Sequence, residues 1–334
     1  MNPQQHILQV ASGYIASAAL NVAVRLNIAD LLAGGSKSVA ELAAATGSRE
    51  DALYRVLRLL VSLGIFEERA PRRIGLNASA QVLRRDQPGS LHGIALFWPD
   101  PFHFRTYAEL LSSVQSGRPA VDKVFGMPLF EYLAGNPAYS EIFNDAMTAL
   151  SAPVIGAALQ AYDFSGYGTI VDVAGGHGEV LMAILQACPN SKGILAEVGH
   201  VVQGGLPRIR AAGLQQRCEA VVCDFFKAVP AGGDAYVMKH IIHDWDDERA
   251  LLILKNIALA MGDKNGHVVL LESVIPAGPE PDLGKFIDIE MLALPGGKER
   301  TQQEFADLFA AAGFRLTRVV PTASPLSVVE AVRA

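Results

Sequence analysis

The segment Val171-Asp172-Val173-Ala174-Gly175-Gly176-His177-Gly178 decides the fold. A β-branched run enters a glycine-rich turn and a helical pattern follows at once, which describes a strand, a loop and a crossover helix over 179–188. The same alternation recurs downstream. Strand-like runs at 192–198, 219–224, 234–240 and 266–273 are interleaved with helical patterns at 201–212 and 247–261. Strands alternating with helices predict an α/β fold with a parallel, Rossmann-like sheet. A further helix at 301–312, capped by Thr301 and Glu304 and closed by Gly313, precedes two last strands near 315–320 and 327–334.

Glycines after the first strand let the backbone approach a ligand closely, and a helix N-terminus favours negative charge. Residues 175–180 nevertheless read Gly-Gly-His-Gly-Glu-Val, which breaks the G-x-G-x-x-G spacing of a dinucleotide site. Glu197 and Asp224 fall at the C-terminal ends of the next two strands, beside that loop in a doubly wound sheet. A carboxylate at the second strand suits the two hydroxyls of a ribose, and one at the third suits an adenine amino group; neither suits a phosphate. With Asp172 in the same loop, a phosphate-free nucleoside carrying a positive sulfonium fits better than NAD.

The fourth strand runs into Met238-Lys239-His240-Ile241-Ile242-His243-Asp244-Trp245-Asp246-Asp247-Glu248. Histidine is the natural base near neutral pH, and a phenol with a pKa of about 10 becomes a good nucleophile as its proton leaves. His243, next to Asp244 and at a strand end near the proposed cofactor loop, is the candidate base.

Upstream, Gln9 to about Leu32 reads as one helix, apolar around most of its circumference and thus expected to be buried on several sides, including against a partner subunit. Ser38 with Glu41 forms a capping box and Ser48 with Asp51 its acidic relative, each opening a short helix; residues 65–80 then read as two strands around a proline turn. This is a winged-helix outline. A DNA reader would concentrate Lys and Arg on its second helix, whereas Arg55 and Arg58 share it with Glu50 and Asp51. Residues 91–130 carry Phe97, Trp98, Phe102, Phe104, Tyr107, Phe125 and Phe130, which serve equally as core or as a pocket for a planar substrate.

The net charge of −6 disfavours nucleic acid as a partner. The absence of a run of about 20 apolar residues and of a signal-peptide pattern gives the expectation of a cytoplasmic protein with no membrane partner. Three cysteines, Cys188, Cys218 and Cys223, lack metal-ligand spacing and read as reduced, buried thiols.

The 238–248 segment resembles the MK-x-x-x-HDW-x-D-E block of the plant and bacterial O-methyltransferases of the caffeate, hydroxyindole and phenazine or anthracycline type. The similarity also takes in Asp172–Gly178, Cys223–Phe226, the 295–305 stretch PGGKERTQQEF, and the N-terminal VAVRLNIADLL and LYRVLRLLVSLGIF blocks. It implies a class I methyltransferase sheet at 101–334, of which 101–165 is a helical linker and substrate-pocket region. It also implies a mostly helical winged-helix dimerisation domain at 1–100, hence a homodimer. S-adenosyl-L-methionine is the implied cofactor, bound by Asp172, Gly175 and Gly176, with Glu197 on the ribose, Asp224 and Phe225 beside the adenine, and Lys239 as a further contact. Met147 and Ser151 match positions near the methyl donor. His243 is the implied base, flanked by Asp244 and oriented by Glu272 and Glu299.

Three departures bear on the cofactor loop. Ala174 stands where Gly is usual, tolerable if its φ is negative; Glu197 replaces Asp, and Gly199 replaces Pro. The implied reaction is methyl transfer to a hydroxyl of a small aromatic molecule of secondary metabolism, with no metal required. The alternatives are transfer to nitrogen or carbon, a non-methylating reaction on the same fold, and a winged-helix regulator with a ligand-sensing second domain.

Overall fold

The computed structural model describes residues 2–334, which fall into two compact units. The first comprises residues 2–108 and 130–153, the second residues 109–129 and 154–334.

The second unit is built on a seven-stranded sheet in the order β6-β5-β4-β7-β8-β10-β9. The strands are β4 (Thr169–Val173), β5 (Lys192–Glu197), β6 (Cys218–Val222), β7 (Ala235–Lys239), β8 (His267–Glu272), β9 (Phe314–Pro321) and β10 (Ser327–Arg333). The first five run parallel, and β10 and β9 close the sheet as an antiparallel pair, with β10 inserted between β8 and β9. Alternate residues feed two cores. Val171, Val173, Tyr236, Met238, Val268 and Leu270 pack with helices Asp247–Met261 and Gln302–Ala311 on one face. Ile170, Ala235, Val237, Val269 and Leu271 pack on the other face, with helices Glu179–Ala187 and Gly199–Ala211. Burial on both faces is why these strands read as continuous apolar runs.

The expected α/β sheet is therefore present with its strands and helices near their expected bounds, and the Thr301–Glu304 capping box forms. Helix Leu283–Ala293, which leads into the 295–300 loop, has no counterpart in the sequence reading. Beyond the sheet's C-terminal ends lies the chemistry described below. At the opposite ends, Glu330 of β10 accepts from His267 of β8 (2.7 Å) and Tyr167 (3.4 Å) and pairs with Arg318 of β9.

In the first unit the single helix expected over 9–32 is three: Pro3–Ala11, Gly13–Arg25 and Ile28–Leu31. The breaks fall at Ser12, whose hydroxyl donates back to Leu8 O (2.8 Å), and at Asn27, which adopts φ +51°. Within one chain Ala19, Ala23 and Val24 of the second helix are buried, whereas Tyr14, Ile15 and Val22 are exposed. The Ser38–Glu41 capping box forms, but Ser48 does not cap. Arg49 occupies the N-cap of Glu50–Ser62, and the Ser48 hydroxyl accepts from Thr46 instead. A hairpin of β2 (Glu67–Ala70) and β3 (Arg73–Gly75) is extended by β1 (Lys37–Ser38), a strand too short to register in the sequence pattern. Phe97 and Phe102 are buried in an aromatic cluster with His103 and Tyr139, whereas Phe130 is exposed.

The segments Pro3–Arg25 and Pro137–Ala161 pass a length and apolarity criterion for membrane spans, contrary to the sequence expectation, although the first is interrupted at Ser12 and is 22% buried over its most apolar window.

One partly buried cation, Arg217, ties the start of the sheet together. Arg217 donates to Leu185 O (2.9 Å), Cys188 O (3.2 Å) and Ser191 O (2.8 Å), satisfying carbonyls where helix Glu179–Ala187 ends and β5 begins. Charge-assisted bonds of this kind contribute about 1.5–3 kcal/mol. Arg217→Met should accordingly lower stability by about 2 kcal/mol, read as a reduced midpoint in urea unfolding.

Candidate active site

From β4 the backbone turns through Ala174 (φ +55°), Gly176 (φ +59°) and Gly178 (φ +84°) into helix Glu179–Ala187. Ala174 thus takes the left-handed conformation, against the expectation of a negative φ, at a cost of roughly 1–2 kcal/mol. It is held there by its amide on Ala196 O (2.8 Å). Gly175 is demanded by space: a Cβ would collide with the Asp172 carboxylate. Asp172 is buried and its Oδ2 has no hydrogen-bond partner. Burial raises its pKa to about 7, against a Leu181 backbone hydrogen bond and the attraction of Lys239. An orphaned buried acceptor on a glycine cradle suits a cationic or hydrogen-bond-donating ligand group.

Glu197 closes β5 and accepts from the Gly176 amide (3.0 Å) and the Val198 amide (2.7 Å), which draws the second strand's carboxylate to the glycine turn. Asp224 is exposed after β6; it accepts from the Phe226 amide (3.1 Å) and pairs with Lys227 (2.8 Å). Phe225 lies 4.7 Å from Phe226 and 6.1 Å from Trp245, ring to ring. Lys239 ends β7; burial lowers its pKa, while Asp172, Glu272, Glu179 and Asp244 pull the other way. These residues gather at one end of the sheet. Met147 and Ser151 belong to the first unit, on helix Pro137–Ala161, where Ser151 Oγ donates to Met147 O (2.8 Å). A hydroxyl bonding back to the carbonyl four residues earlier is ordinary within a helix.

After Lys239 the chain makes a 3-10 turn at Ile242–Asp244 that buries His243. His243 Nδ1 is 2.7 Å from Glu299 Oε1, its Nε2 is 3.4 Å from Asp244 Oδ1, and Glu272 Oε2 lies 3.9 Å from Nδ1. Glu272 spends its other oxygen on the amides of Ile241 (3.0 Å) and Ile242 (2.9 Å). The two glutamates implied by the resemblance therefore act differently: Glu299 holds the ring and Glu272 the turn. Burial disfavours the imidazolium, but Glu272, Asp244 and Glu299 outweigh it and push the His243 pKa up to about 10. Three carboxylates around one ring exceed what one cation neutralises. Glu272 is accordingly raised to about 7 and Asp244 to about 6, burial being the first cause in each.

The sequence reading passed over the groups that hold this turn. Arg300, fully buried, donates to Ile242 O (3.1 Å), Trp245 O (3.0 Å) and Asp247 Oδ1 (2.7 Å). Lys298 N donates to His243 O (2.9 Å), and a Cβ on Gly297 would overlap that same carbonyl. His240, also unmarked, has φ +55° and a ring centroid 4.8 Å from that of His243. The one available signal was the density of charged and glycine residues in Gly296-Gly297-Lys298-Glu299-Arg300.

A glycine turn with carboxylates at successive strand ends, beside a buried histidine caged by acids, defines a class I S-adenosylmethionine-dependent methyltransferase. The sequence profile of the O-methyltransferase domain matches residues 107–315 and that of the O-methyltransferase dimerisation domain residues 8–86. The chain is 43% identical to the phenazine O-methyltransferase PhzM of Lysobacter antibioticus over 97% of its length and 95% of that protein. To the mitomycin biosynthesis 6-O-methyltransferase of Streptomyces lavendulae it is 35% identical, over 99% and 95% respectively. The solved structure of NcsB1, an O-methyltransferase from neocarzinostatin biosynthesis in complex with S-adenosylmethionine and 2-hydroxy-5-methyl naphthoic acid, matches with a TM-score of 0.80 and 32% identity, covering 95% of this chain and 96% of that one. The protein belongs to this O-methyltransferase family, is an S-adenosylmethionine-dependent O-methyltransferase, and carries the family's dimerisation domain.

Two outcomes follow from the geometry. Ala174→Gly should raise stability by about 0.5–1 kcal/mol in thermal or urea unfolding, the relief of left-handed strain exceeding the added chain entropy. Glu299→Gln should lower the His243 pKa by about 1–3 units in an NMR titration, because it removes a carboxylate bonded to the cationic ring.

Proposed function

We propose that His243 is the general base and that the acceptor is a hydroxyl on a small, planar aromatic molecule of the phenazine, quinone or naphthoate kind. The observation that carries this is the His243–Glu299 bond of 2.7 Å, which fixes the ring through Nδ1 and turns Nε2 outward toward Asp244 as the nitrogen available for a proton. A base held near a pKa of 10 matches a phenol of about 10, so the proton passes between groups of similar affinity. Glu272 keeps the turn in register through the Ile241 and Ile242 amides, and Asp244 steadies the charged ring.

Asp172, Gly175, Gly176, Glu197, Asp224, Phe225 and Lys239 hold the cofactor, with Met147 and Ser151 supplied by the long helix. The orphaned Asp172 carboxylate, with the acids Glu197 and Asp224 at the next strand ends, fits S-adenosylmethionine better than a phosphate-bearing cofactor. When bound, S-adenosylmethionine supplies an activated methyl group on sulfur. What remains to the protein is to align the acceptor oxygen and accept one proton, and positioning carries much of the rate. Residues 1–100 form a winged-helix-like dimerisation domain and 101–334 the methyltransferase domain, with 101–165 shaping the acceptor pocket. The enzyme acts as a cytoplasmic homodimer in secondary metabolism, without nucleic-acid or membrane partners. The dimerisation-domain match, the exposed Tyr14, Ile15 and Val22, and the net charge of −6 support this.

The test is mass spectrometry after incubating the protein with S-adenosylmethionine and hydroxylated phenazines, quinones, naphthoates and catechols. A product heavier by one methyl is expected, with kcat/KM rising as pH climbs toward the His243 pKa of about 10 and falling about 10²–10⁴-fold in His243→Ala. Product formation unaltered in that variant removes His243 from the chemistry. Cofactor binding with no methylated product from any acceptor favours a non-methylating reaction.

A further inference from the structure

His240 and His243 are three apart in a segment that includes a 3-10 turn, and Glu272 reaches the same turn from the adjacent strand β8. One donor atom from each of His240, His243 and Glu272 lies within 4.8 Å of the other two. An ion among three such atoms can sit within about 2.8 Å of all of them, and small side-chain rotations reach the about 2.0–2.2 Å of zinc–nitrogen and zinc–oxygen bonds. Two further observations point to a cation there. Glu272 is fully buried, and after Oε1 has taken two amides its Oε2 has no hydrogen-bond partner. His240 is held in a left-handed backbone conformation that side chains rarely adopt, and such strain concentrates at ligand sites.

We propose that His240, His243 and Glu272 form a site for a borderline-soft divalent ion such as Zn²⁺, and that its occupation arrests methyl transfer by engaging the base. Two imidazoles and one carboxylate select ions of the zinc, cobalt and copper kind over magnesium and calcium, which prefer all-oxygen sets. The ion acts as an inhibitor, so the transfer reaction itself makes no call on it. The arrest rests on the assignment of His243 as the base; the binding does not.

Co²⁺ titrated into metal-free protein provides a visible absorption band independent of turnover. The expected result is one equivalent bound, with affinity lowered at least about tenfold in His240→Asn and in Glu272→Gln. Asparagine tolerates the left-handed backbone at 240, so that variant reports on the ligand rather than on the fold. In parallel, Zn²⁺ should inhibit product formation over the concentration range in which it binds, Mg²⁺ should not, and His240→Asn should need at least about ten times more Zn²⁺ for half-inhibition relative to its own uninhibited rate. No stoichiometric cobalt band, or a band of unchanged affinity in His240→Asn, overturns the site. Binding that depends on His240 without inhibition of an active enzyme overturns the arrest.

Discussion

Glu272 and Glu299 are buried to 0% and 2% exposure, and the structure around the Ile242–Asp244 turn exists to make that burial tolerable. A carboxylate removed from water must find donors or a counter-charge, or give up its own charge. Glu272 finds two backbone amides, Glu299 finds the imidazole, and the imidazole in turn is held protonated by the acids around it. The arrangement is circular: removing any member leaves another buried charge without its partner. A turn at the end of β7, a strand end on β8 and a loop near residue 299 are thereby forced into one geometry.

Arg300 makes that geometry rigid. Its guanidinium bonds to carbonyls on either side of His243 and to Asp247 at the start of the next helix, while the neighbouring Glu299 reaches the ring. Two consecutive residues thus fix the backbone and the side chain of His243. Gly297 completes the contact, because only a residue without Cβ lets the loop lie against the His243 carbonyl. The site is built on strand ends and a clamped turn, which suits a reaction whose rate depends on alignment.

Strand periodicity and the glycine turn made the parallel sheet legible, since both arise from local chemistry: β-branched residues buried on two faces, and a loop that needs freedom of φ. His243 was legible as a polar, titratable group at a strand end. Glu299 was legible only through resemblance, because 56 residues separate it from the ring it touches and no local pattern encodes a contact at that distance. Arg300 and His240 escaped for the same reason: their partners lie on other segments or become neighbours only when the turn forms. Ala174 and Ser48 failed differently. Each residue type suggested a local preference, a negative φ and a helix cap, that surrounding structure overrode.

The insertion of β10 between β8 and β9 has a consequence for how the chain acquires its shape. β9 reaches the sheet only through β10, and the Glu330 link to His267 and Arg318 cannot form until residues 327–333 are available. During synthesis on a ribosome, the five parallel strands emerge with β8 as an unpaired border, and β9 follows with nothing to dock against. The strand that seals the sheet therefore leaves the exit tunnel after the other six. Until then β8, the strand that carries Glu272 to the histidine, lies open to pairing with a foreign strand.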